Sequence, residues 1–255
     1  MNSVNVLILR APGTNRDEET AVAFQQAGAS TRLATINEVA RAAFRFADFQ
    51  VVVFPGGFAY GDDLGAGRVL ASELNLKLMA DMQPFIDRGG LVLGVCNGFQ
   101  TLVKAGILPG PMSKGQTVTL TNNDSGRFEC RWVYLTANPE SKSVFTAGIR
   151  TIYVPVAHGE GKLVANPAVV ASLDIALFYT DAEGNRHQGY PHNPNGSTKD
   201  IAGITDASGR VFGLMPHPED HVRESQHPRW TRGEAAKESL GSSIYQNAVD
   251  WVKKI

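Results

Sequence analysis

Residues 91–100 read Leu-Val-Leu-Gly-Val-Cys-Asn-Gly-Phe-Gln, and this stretch decides the fold that the sequence predicts. Its first five residues form an unbroken apolar run, which is typical of a strand buried on both faces of a parallel sheet. The residues that follow, 97–105, predict a helix that stops at Gly106. The whole stretch therefore resembles the Gly-x-Ser-x-Gly nucleophile elbow, with a cysteine in place of the serine.

Cys96 is accordingly the predicted nucleophile. A sharp turn from strand to helix strains its central residue, and the glycines at 94 and 98 remove side chains that would collide there. The helix N-terminus stabilises a thiolate, and its free N–H groups can hold an oxyanion. The alternative, a cysteine buried as a small apolar residue, is preferred for Cys130, which lies beside Trp132 in a predicted strand.

The first half of the chain alternates apolar runs with helical patterns. Capping boxes are predicted at Thr14–Asp17 and at Thr35 with Glu38. Such alternation indicates βαβ units and a parallel sheet flanked by helices. The predicted strands are 4–9, 31–34, 50–54 and 91–95, and the predicted helices are 17–27, 37–44, 68–87 with a break near residue 75, and 97–105.

The second half has a different character, because strand-like segments follow one another with few helices between them. They are 117–121, 128–135, 150–156 and 176–180, before a last buried strand at 211–215 and a closing helix at 242–252. We therefore predict an α/β fold with a flavodoxin-like open mixed sheet. The sheet is expected to be largely parallel, with helices on both faces and added antiparallel strands in the C-terminal half. Without an internal repeat or a low-complexity linker, residues 1–255 are expected to form one domain.

Composition excludes several classes of function. The chain has 24 Lys and Arg against 25 Asp and Glu, a net charge of −1, which gives no support for non-specific binding to nucleic acid or to a membrane surface. The early apolar run at 6–9 is too short for a signal sequence or a membrane span, so we expect a soluble cytoplasmic protein. Two cysteines make neither a disulfide framework nor a cysteine-based zinc site.

His217 is the predicted base among six histidines. It follows the last buried strand within Met-Pro-His-Pro-Glu, and the two prolines favour an extended backbone in which residues i and i+2 point the same way. Glu219 can then orient the imidazole ring, as the acid does in a Ser-His-Asp triad. His217 and His221 also have the i, i+4 spacing of metal ligands, but Pro218 disfavours the helix that this geometry needs and no third ligand is evident.

The turn Pro55-Gly56-Gly57 ends the strand that precedes the cysteine strand. The N–H groups of Gly57 and Asn97 would make a two-donor oxyanion hole, although an ordinary tight turn explains the glycines as well. The chain contains no Gly-x-x-x-x-Gly-Lys-Ser/Thr loop and no Gly-x-Gly-x-x-Gly sequence that opens the first helix. The sequence thus indicates acyl-transfer chemistry without a nucleotide site.

Six segments carry a resemblance to a known family: 55–62, 94–100, 122–129, 157–161, 190–197 and 216–219. They run in order across nearly the whole chain and resemble the class I (triad) glutamine amidotransferases. The elbow and the His-x-Glu motif are common to that superfamily. The Gly-Gly-Phe-x-Tyr-Gly-Asp, His-Gly-Glu-Gly and Asn-Pro-Asn-Gly-Ser sequences are narrower, and they are similar to the glutaminase subunits of phosphoribosylformylglycinamidine synthases.

The resemblance implies roles for individual residues. Cys96 is the nucleophile, His217 the base and Glu219 its partner, while Gln100, Arg127 and His158 lie near the glutamine pocket. It also implies that residues 224–255 form a C-terminal extension packed on the domain. Gly65 stands where many family members have arginine, so no role of that arginine can be transferred.

The resemblance also implies the reaction and the partners. Glutamine is hydrolysed to glutamate and ammonia through a cysteinyl thioester, and the ammonia passes to a large ATP-dependent synthetase subunit that makes formylglycinamidine ribonucleotide for purine biosynthesis. ATP and Mg are expected on that subunit, and no cofactor or metal is expected in this chain. A small accessory subunit is a further expected partner, whereas nucleic acid and membranes are not.

Two other classes of function stay open at this point. A stand-alone Cys-His hydrolase, of a peptidase or deglycase-like kind, would share the elbow and need no partner. A non-catalytic partner-binding module would keep the fold without the chemistry. Turnover of peptides instead of glutamine would favour the stand-alone hydrolase. Failure of an electrophilic glutamine analogue to label Cys96, even with the synthetase subunit present, would favour the non-catalytic module.

Overall fold

The computed structural model describes residues 3–233 and 240–255. The described strands are β1 Val4–Arg10, β2 Ala29–Thr35, β3 Val51–Phe54, β4 Leu91–Val95, β5 Val118–Thr121, β6 Glu129–Ala137, β7 Thr151–His158, β8 Lys162–Ala165, β9 Asp174–Thr180, β10 Ile201–Thr205 and β11 Val211–Leu214. The described helices are α1 Asp17–Gln26, α2 Ile36–Ala40, α3 Arg68–Lys77, α4 Met79–Asp87, α5 Asn97–Lys104, α6 Pro167–Ser172 and α7 Ser242–Lys254.

A nine-stranded mixed sheet organises the molecule, with the order β2-β1-β3-β4-β11-β10-β9-β6-β7. The first five strands run parallel in the 2-1-3-4-5 order of flavodoxin-like sheets, and the other four join them in antiparallel pairs. Helices cover both faces. These features confirm the predicted fold class.

The core lies around the parallel strands in the middle of the sheet. Every residue of β3, β4 and β11 is buried, as expected for apolar runs without alternation. The parallel pairing of β3, β4 and β11 places their carboxyl ends side by side at one edge of the sheet. Within residues 3–233 and 240–255, no helix combines the length and the apolarity that crossing a bilayer requires.

The antiparallel half differs from the prediction in its details. Residues 117–121 were expected in the main sheet, but this is wrong, because β5 pairs with β8 in a separate two-stranded sheet. The structure also contains β8, β10 and α6, which are not among the elements predicted from the sequence. The buried strand β10 pairs with β11 and continues the main sheet beyond its parallel part. Gly203 permits this close packing, since a Cβ there would lie 2.8 Å from the Gly213 carbonyl oxygen.

One of the two predicted capping boxes is present at a helix start in the structure. The box at Thr35 is confirmed, because its hydroxyl accepts from the Glu38 N–H and its own N–H donates to the Glu38 carboxylate. The box at Thr14 is wrong: α1 begins after Arg16 with no side-chain cap, and the Thr14 hydroxyl accepts from the Ala11 N–H. The helix at 37–44 is shorter than predicted, and the break in 68–87 falls at residue 78 rather than 75.

The C-terminal helix α7 packs against α1 and β1. The predicted extension 224–255 and the predicted domain 1–255 include residues 234–239 and 1–2, which lie outside the described residues. The domain boundaries therefore stay a prediction.

Candidate active site

Cys96 occupies the turn between β4 and α5. Its backbone has φ 49° and ψ −105°, a left-handed conformation that is costly for a residue with a side chain and is typical of functional sites. Gly98 is required by close packing, because a Cβ there would lie 1.8 Å from the Phe54 carbonyl oxygen at the end of β3. The local geometry is that of the predicted elbow.

The sulfur of Cys96 lies against the end of β7. Its Sγ is 3.8 Å from the Ala157 carbonyl oxygen, and the whole residue is only 4% exposed. Burial of this kind keeps bulk solvent from the thiol.

His217 follows β11 and is tied to β7 as well, since its N–H donates to the Pro155 carbonyl oxygen at 2.8 Å. Its Nδ1 is 2.7 Å from Oε1 of Glu219, and both side chains are buried. The predicted extended backbone is wrong here: residues Pro218–Asp220 form a 3₁₀ turn, and this turn brings the carboxylate to the ring. The predicted pairing of His217 with Glu219 is present, but a 3₁₀ turn rather than an extended backbone produces it.

The electrostatics of His217 reflect two opposing effects. Complete burial lowers its pKa, but the charges of Glu219 and Cys96 outweigh burial and hold the pKa well above the ordinary value of 6.5. A side-chain hydrogen bond with Cys96 raises this pKa as well. These effects favour the imidazolium form of His217 beside the sulfur, from which a proton can pass to a leaving group.

The turn after β3 packs directly against this histidine. A Cβ added to Gly56 would lie 2.6 Å from Cε1 of His217. The turn itself is held from the other side, because the N–H groups of Asn15 and Arg16 both point to the Gly56 carbonyl oxygen, at 3.4 and 3.2 Å. Position 56 therefore needs glycine, because any side chain there would push the His217 ring away from Glu219.

Replacing Gly56 with alanine should therefore impair the site without unfolding the protein. We expect the added methyl group to displace the His217 ring and to lower kcat by about 100-fold, since small misplacements of a catalytic group cost that much. Steady-state glutamine hydrolysis checks the effect. Gly159→Ala is the matched control, because Gly159, like Gly56, has no positive φ and a Cβ there meets nothing within 4 Å. Equal activity in the two variants would contradict the close packing against His217.

The predicted oxyanion donors lie at the same edge of the sheet. Gly57 has φ 145°, and a Cβ there would lie 2.7 Å from the Asn15 nitrogen, so the position needs glycine. The backbone bond that closes this turn uses the N–H of Phe58, which donates to the Gly13 carbonyl oxygen at 2.9 Å. The N–H of Asn97 belongs to the first turn of α5, where amides lack helical partners. Their role as an oxyanion hole stays a prediction.

The side chain of Asn97 has a second task that the sequence analysis missed. Its Nδ2 donates to Oδ1 of Asp62 at 3.0 Å, and its Oδ1 accepts from the Ala59 N–H at 3.2 Å. These bonds hold the loop 58–67, which has left-handed backbone at 60, 61 and 62. Gly65 in this loop has φ 101°, so an arginine there would need a different backbone.

Gln100 links α5 to the loop that follows β7. Its Nε2 donates to the Glu160 carbonyl oxygen at 2.6 Å, and its Oε1 accepts from Nδ2 of Asn97 at 3.1 Å. The residue is buried, and both ends of its amide are occupied. Gln100 thus ties α5 to the loop after β7, while its place near the glutamine pocket stays a prediction.

His158, at the end of β7, is buried close to His217. Its Nδ1 is 3.1 Å from Oδ1 of Asn123, and its Nε2 is 3.5 Å from Nδ2 of Asn195, which also donates to the Tyr179 hydroxyl. Burial, followed by the charge of His217, lowers the pKa of His158 to about 3. His158 is therefore neutral and acts as a fixed part of a hydrogen-bond network.

Arg127 lies in a different environment from the other predicted site residues. Its side chain is exposed, and its carbonyl oxygen accepts from Nδ2 of Asn123, the partner of His158. The structure thus brings the backbone of Arg127 to the edge of the network and leaves the guanidinium at the surface. Its contact with substrate stays a prediction.

Tyr245 is the residue at this site that the sequence analysis missed altogether. It lies on α7, is fully buried, and its hydroxyl donates to Oε2 of Glu219 at 3.2 Å. Only apolar periodicity marks the position in the sequence, and such a pattern equally describes an ordinary core residue. The contact depends on the docking of the last helix, which no local motif encodes.

The metal alternative finds no support in the geometry of the two histidines. Nδ1 of His217 faces Glu219, whereas Nδ1 of His221 is 2.6 Å from the Tyr153 carbonyl oxygen. In the part of the chain that the structure describes, no group of three or more His, Cys, Asp or Glu side chains is arranged to hold a metal ion.

A strained cysteine beside an imidazole–carboxylate pair, at the carboxyl ends of parallel strands, defines a class of cysteine enzymes that transfer acyl groups. Residues 3–252 match the model of the family described as the CobB/CobQ-like glutamine amidotransferase domain. The match spans nearly the whole chain, so the chain belongs to this family, and the resemblance predicted from the sequence is confirmed.

Curated relatives and solved structures narrow this assignment. The chain is 56% identical over 255 residues, the full length of both chains, to the phosphoribosylformylglycinamidine synthase subunit PurQ of Dehalococcoides mccartyi. It is 40% identical to the PurQ subunit of Methanococcus maripaludis, over 98% of this chain and 97% of that protein. A chain in the structure of PurLQS from Thermotoga maritima matches with a TM-score of 0.76 and 29% identity, over 98% of this chain and 100% of that one.

Proposed function

We propose that this chain is the glutaminase subunit of a phosphoribosylformylglycinamidine synthase and acts in purine biosynthesis. The observation that carries the proposal is the 56% identity with a PurQ subunit over the full length of both chains. The pairing of His217 with Glu219 at 2.7 Å, next to Cys96 in its strained turn, supports the same reaction on independent grounds.

The proposed reaction has two halves. The Cys96 thiolate attacks the side-chain amide carbon of glutamine and forms a C–S bond, while the N–H groups of Gly57 and Asn97 hold the oxyanion. The His217 imidazolium donates its proton to the nitrogen as the C–N bond breaks, and ammonia leaves. Neutral His217 then takes a proton from water, whose oxygen attacks the thioester carbon. The C–S bond breaks, which yields glutamate and restores the thiolate and the imidazolium.

The ammonia is used by a partner. We propose that a large ATP-dependent synthetase subunit receives it and makes formylglycinamidine ribonucleotide, with a small accessory subunit in the same assembly. The similarity to a chain of the PurLQS structure supports the partnership. ATP and Mg belong to the synthetase subunit in this proposal, this chain carries no cofactor, and the assembly lies in the cytoplasm.

Reconstitution with the synthetase subunit tests the function. Glutamine, ATP and formylglycinamide ribonucleotide are supplied, and formation of glutamate and of the amidine product is measured together. One glutamate per amidine formed is the expected result. Turnover of peptides without turnover of glutamine would instead favour the stand-alone hydrolase.

Burial of Cys96 leads to a prediction about the free chain. Because the residue is 4% exposed, we propose that glutamine reaches it in a more open minor state, which the synthetase subunit favours. An open fraction of about 1–10% in the free chain would lower its apparent activity by the same factor. We expect the glutaminase activity of the free chain to be about 10- to 100-fold below that of the complex. Equal turnover in the free chain and in the complex would contradict this expectation.

A further inference from the structure

Glu219 is held at both of its carboxylate oxygens. Oε1 lies 2.7 Å from Nδ1 of His217, and Oε2 accepts from the Tyr245 hydroxyl at 3.2 Å. We infer that Tyr245 is a positioning residue for the triad, whose hydroxyl fixes the carboxylate of Glu219 in the orientation that holds His217. The inference rests on the proposed function, because that function assigns His217 its task.

A second partner on the carboxylate has a physical purpose. The terminal torsion of a glutamate side chain is broad and roughly two-fold, so one hydrogen bond leaves the plane of the carboxylate poorly fixed. A donor on the other oxygen restricts that rotation, and both bonds lie in a site from which water is excluded. The hydroxyl therefore acts on the imidazole through the carboxylate, without touching substrate.

Tyr245 can perform this task because α7 is firmly seated. Its ring meets Phe24 of α1 edge to face, with centroids 5.0 Å apart and an interplanar angle of 81°. Two residues further along, Nδ2 of Asn247 donates to the carbonyl oxygens of Phe145 and Ala147, at 2.9 and 2.8 Å. At the start of the helix, the Gly241 N–H donates to the His221 carbonyl oxygen at 2.8 Å. The last helix is thus clamped to the same 3₁₀ turn that carries Glu219.

The other charged groups around the triad have different partners. Asp220, next to Glu219, is paired with Arg16 at 3.1 Å. His158 faces His217 but is neutral, with its pKa lowered to about 3 by burial and by the charge of His217. The remaining titratable neighbour of His217 is Cys96 itself. Removing the hydroxyl therefore changes the hold on Glu219 and leaves these charges in place.

Tyr245→Phe tests the inference, since it removes only the hydroxyl. In the reconstituted complex we expect kcat for glutamine to fall about tenfold with little change in KM, which is typical of the loss of one hydrogen bond to a charged group. The alkaline limb of the kcat/KM profile should move to lower pH, because a less firmly held carboxylate stabilises the imidazolium less.

Phe85→Leu is the matched control, because it removes a buried ring whose contact is with Phe46 rather than with Tyr245. This variant should lower Tm and leave the pH profile of the wild type unchanged.

A second comparison uses Glu219→Gln with and without Tyr245→Phe. Adding Tyr245→Phe to Glu219→Gln should lower kcat little further, because the hydroxyl then has no carboxylate to hold. A tenfold additional loss in that pair would indicate a structural role and overturn the inference.

A measurement on the free chain keeps this inference separate from the proposed function. The rate at which iodoacetamide alkylates Cys96 is followed against pH in a Cys130→Ser background, which removes the exposed cysteine. Tyr245→Phe should shift this profile, and Phe85→Leu should not. An unshifted profile in Tyr245→Phe, or an equal shift in both variants, would overturn the positioning role. A wild-type complex that releases no glutamate would refute the proposed function alone.

Discussion

Cys96→Ala should abolish glutamine hydrolysis by the complex and leave synthesis from added ammonia intact. The variant removes the only atom that the proposed mechanism bonds to substrate, and loss of a nucleophile costs on the order of 10⁴- to 10⁶-fold in kcat. The backbone should tolerate the change, because alanine is smaller than cysteine and the left-handed turn is already imposed by the surrounding strand and helix. Glutamate release and amidine formation, each measured with glutamine and then with ammonium, check the two halves of this expectation.

Cys130→Ala is the control for this experiment. Cys130 is the other cysteine of the chain and has no part in the proposed chemistry. The prediction that it is buried as a small apolar residue is wrong, because the alternating burial of β6 leaves it exposed. Its replacement should leave both activities near the wild-type values. Substantial glutaminase activity in Cys96→Ala would remove the basis of the proposed mechanism, and loss of the ammonia-dependent reaction would show that the variant damages the partnership rather than the chemistry.

The elbow could be predicted from the sequence because everything that defines it is contiguous. A buried strand, a cysteine and a helix start occupy ten consecutive residues, and the requirement for glycine at 98 comes from packing against the strand end at Phe54. The parallel half of the sheet followed from the same kind of information. Apolar runs separated by helical patterns permit few topologies, and connection rules reduce them further.

The antiparallel half resisted prediction because its pairings join distant segments. Residues 118–121 look like any other strand, and only the presence of 162–165 opposite them decides that they leave the main sheet. The strand at 201–205 is short and contains a glycine, which lowers its strand signal. The residues of such a segment do not determine which strand it pairs with or which sheet it joins.

The site shows the same division between local and distant information. The spacing of His217 and Glu219 was visible, although the expected extended backbone is a 3₁₀ turn in the structure. The support from Tyr245 was invisible, because 26 residues separate it from Glu219 and its hydroxyl meets the carboxylate only after α7 docks. Local motifs thus indicate which groups react, whereas tertiary packing decides what holds them.

The second large expected effect is that of replacing Glu219, because its charge raises the pKa of His217. Burial alone would lower the pKa of this histidine, and the Glu219 carboxylate is the larger of the two charges that raise it instead. Glutamine at 219 keeps the size of the side chain and removes that charge. The pKa of His217 should therefore fall, and the imidazolium that protonates the departing ammonia should be lost at lower pH.

For Glu219→Gln we expect kcat to fall by about 10³- to 10⁴-fold, as when the acid of a triad is replaced by its amide. The alkaline limb of the kcat/KM profile should move to lower pH in the same variant. Asp220→Asn is the matched control, because it removes a neighbouring carboxylate that is paired with Arg16 rather than with His217. A comparable fall in the control would mean that general negative charge, not the specific contact, supports the histidine.

Stability against pH provides an independent check on the same pair. His217 has a folded-state pKa above its unfolded value, so its pairing stabilises the fold fully below about pH 6.5, and this contribution is lost as pH rises through the raised pKa. The difference in Tm between the wild type and Glu219→Gln should therefore be largest in mildly acidic buffer and smaller at alkaline pH. A difference that grows with pH would mean that His217 is neutral in the folded protein, and the imidazolium would then be unable to serve as the acid for the leaving ammonia.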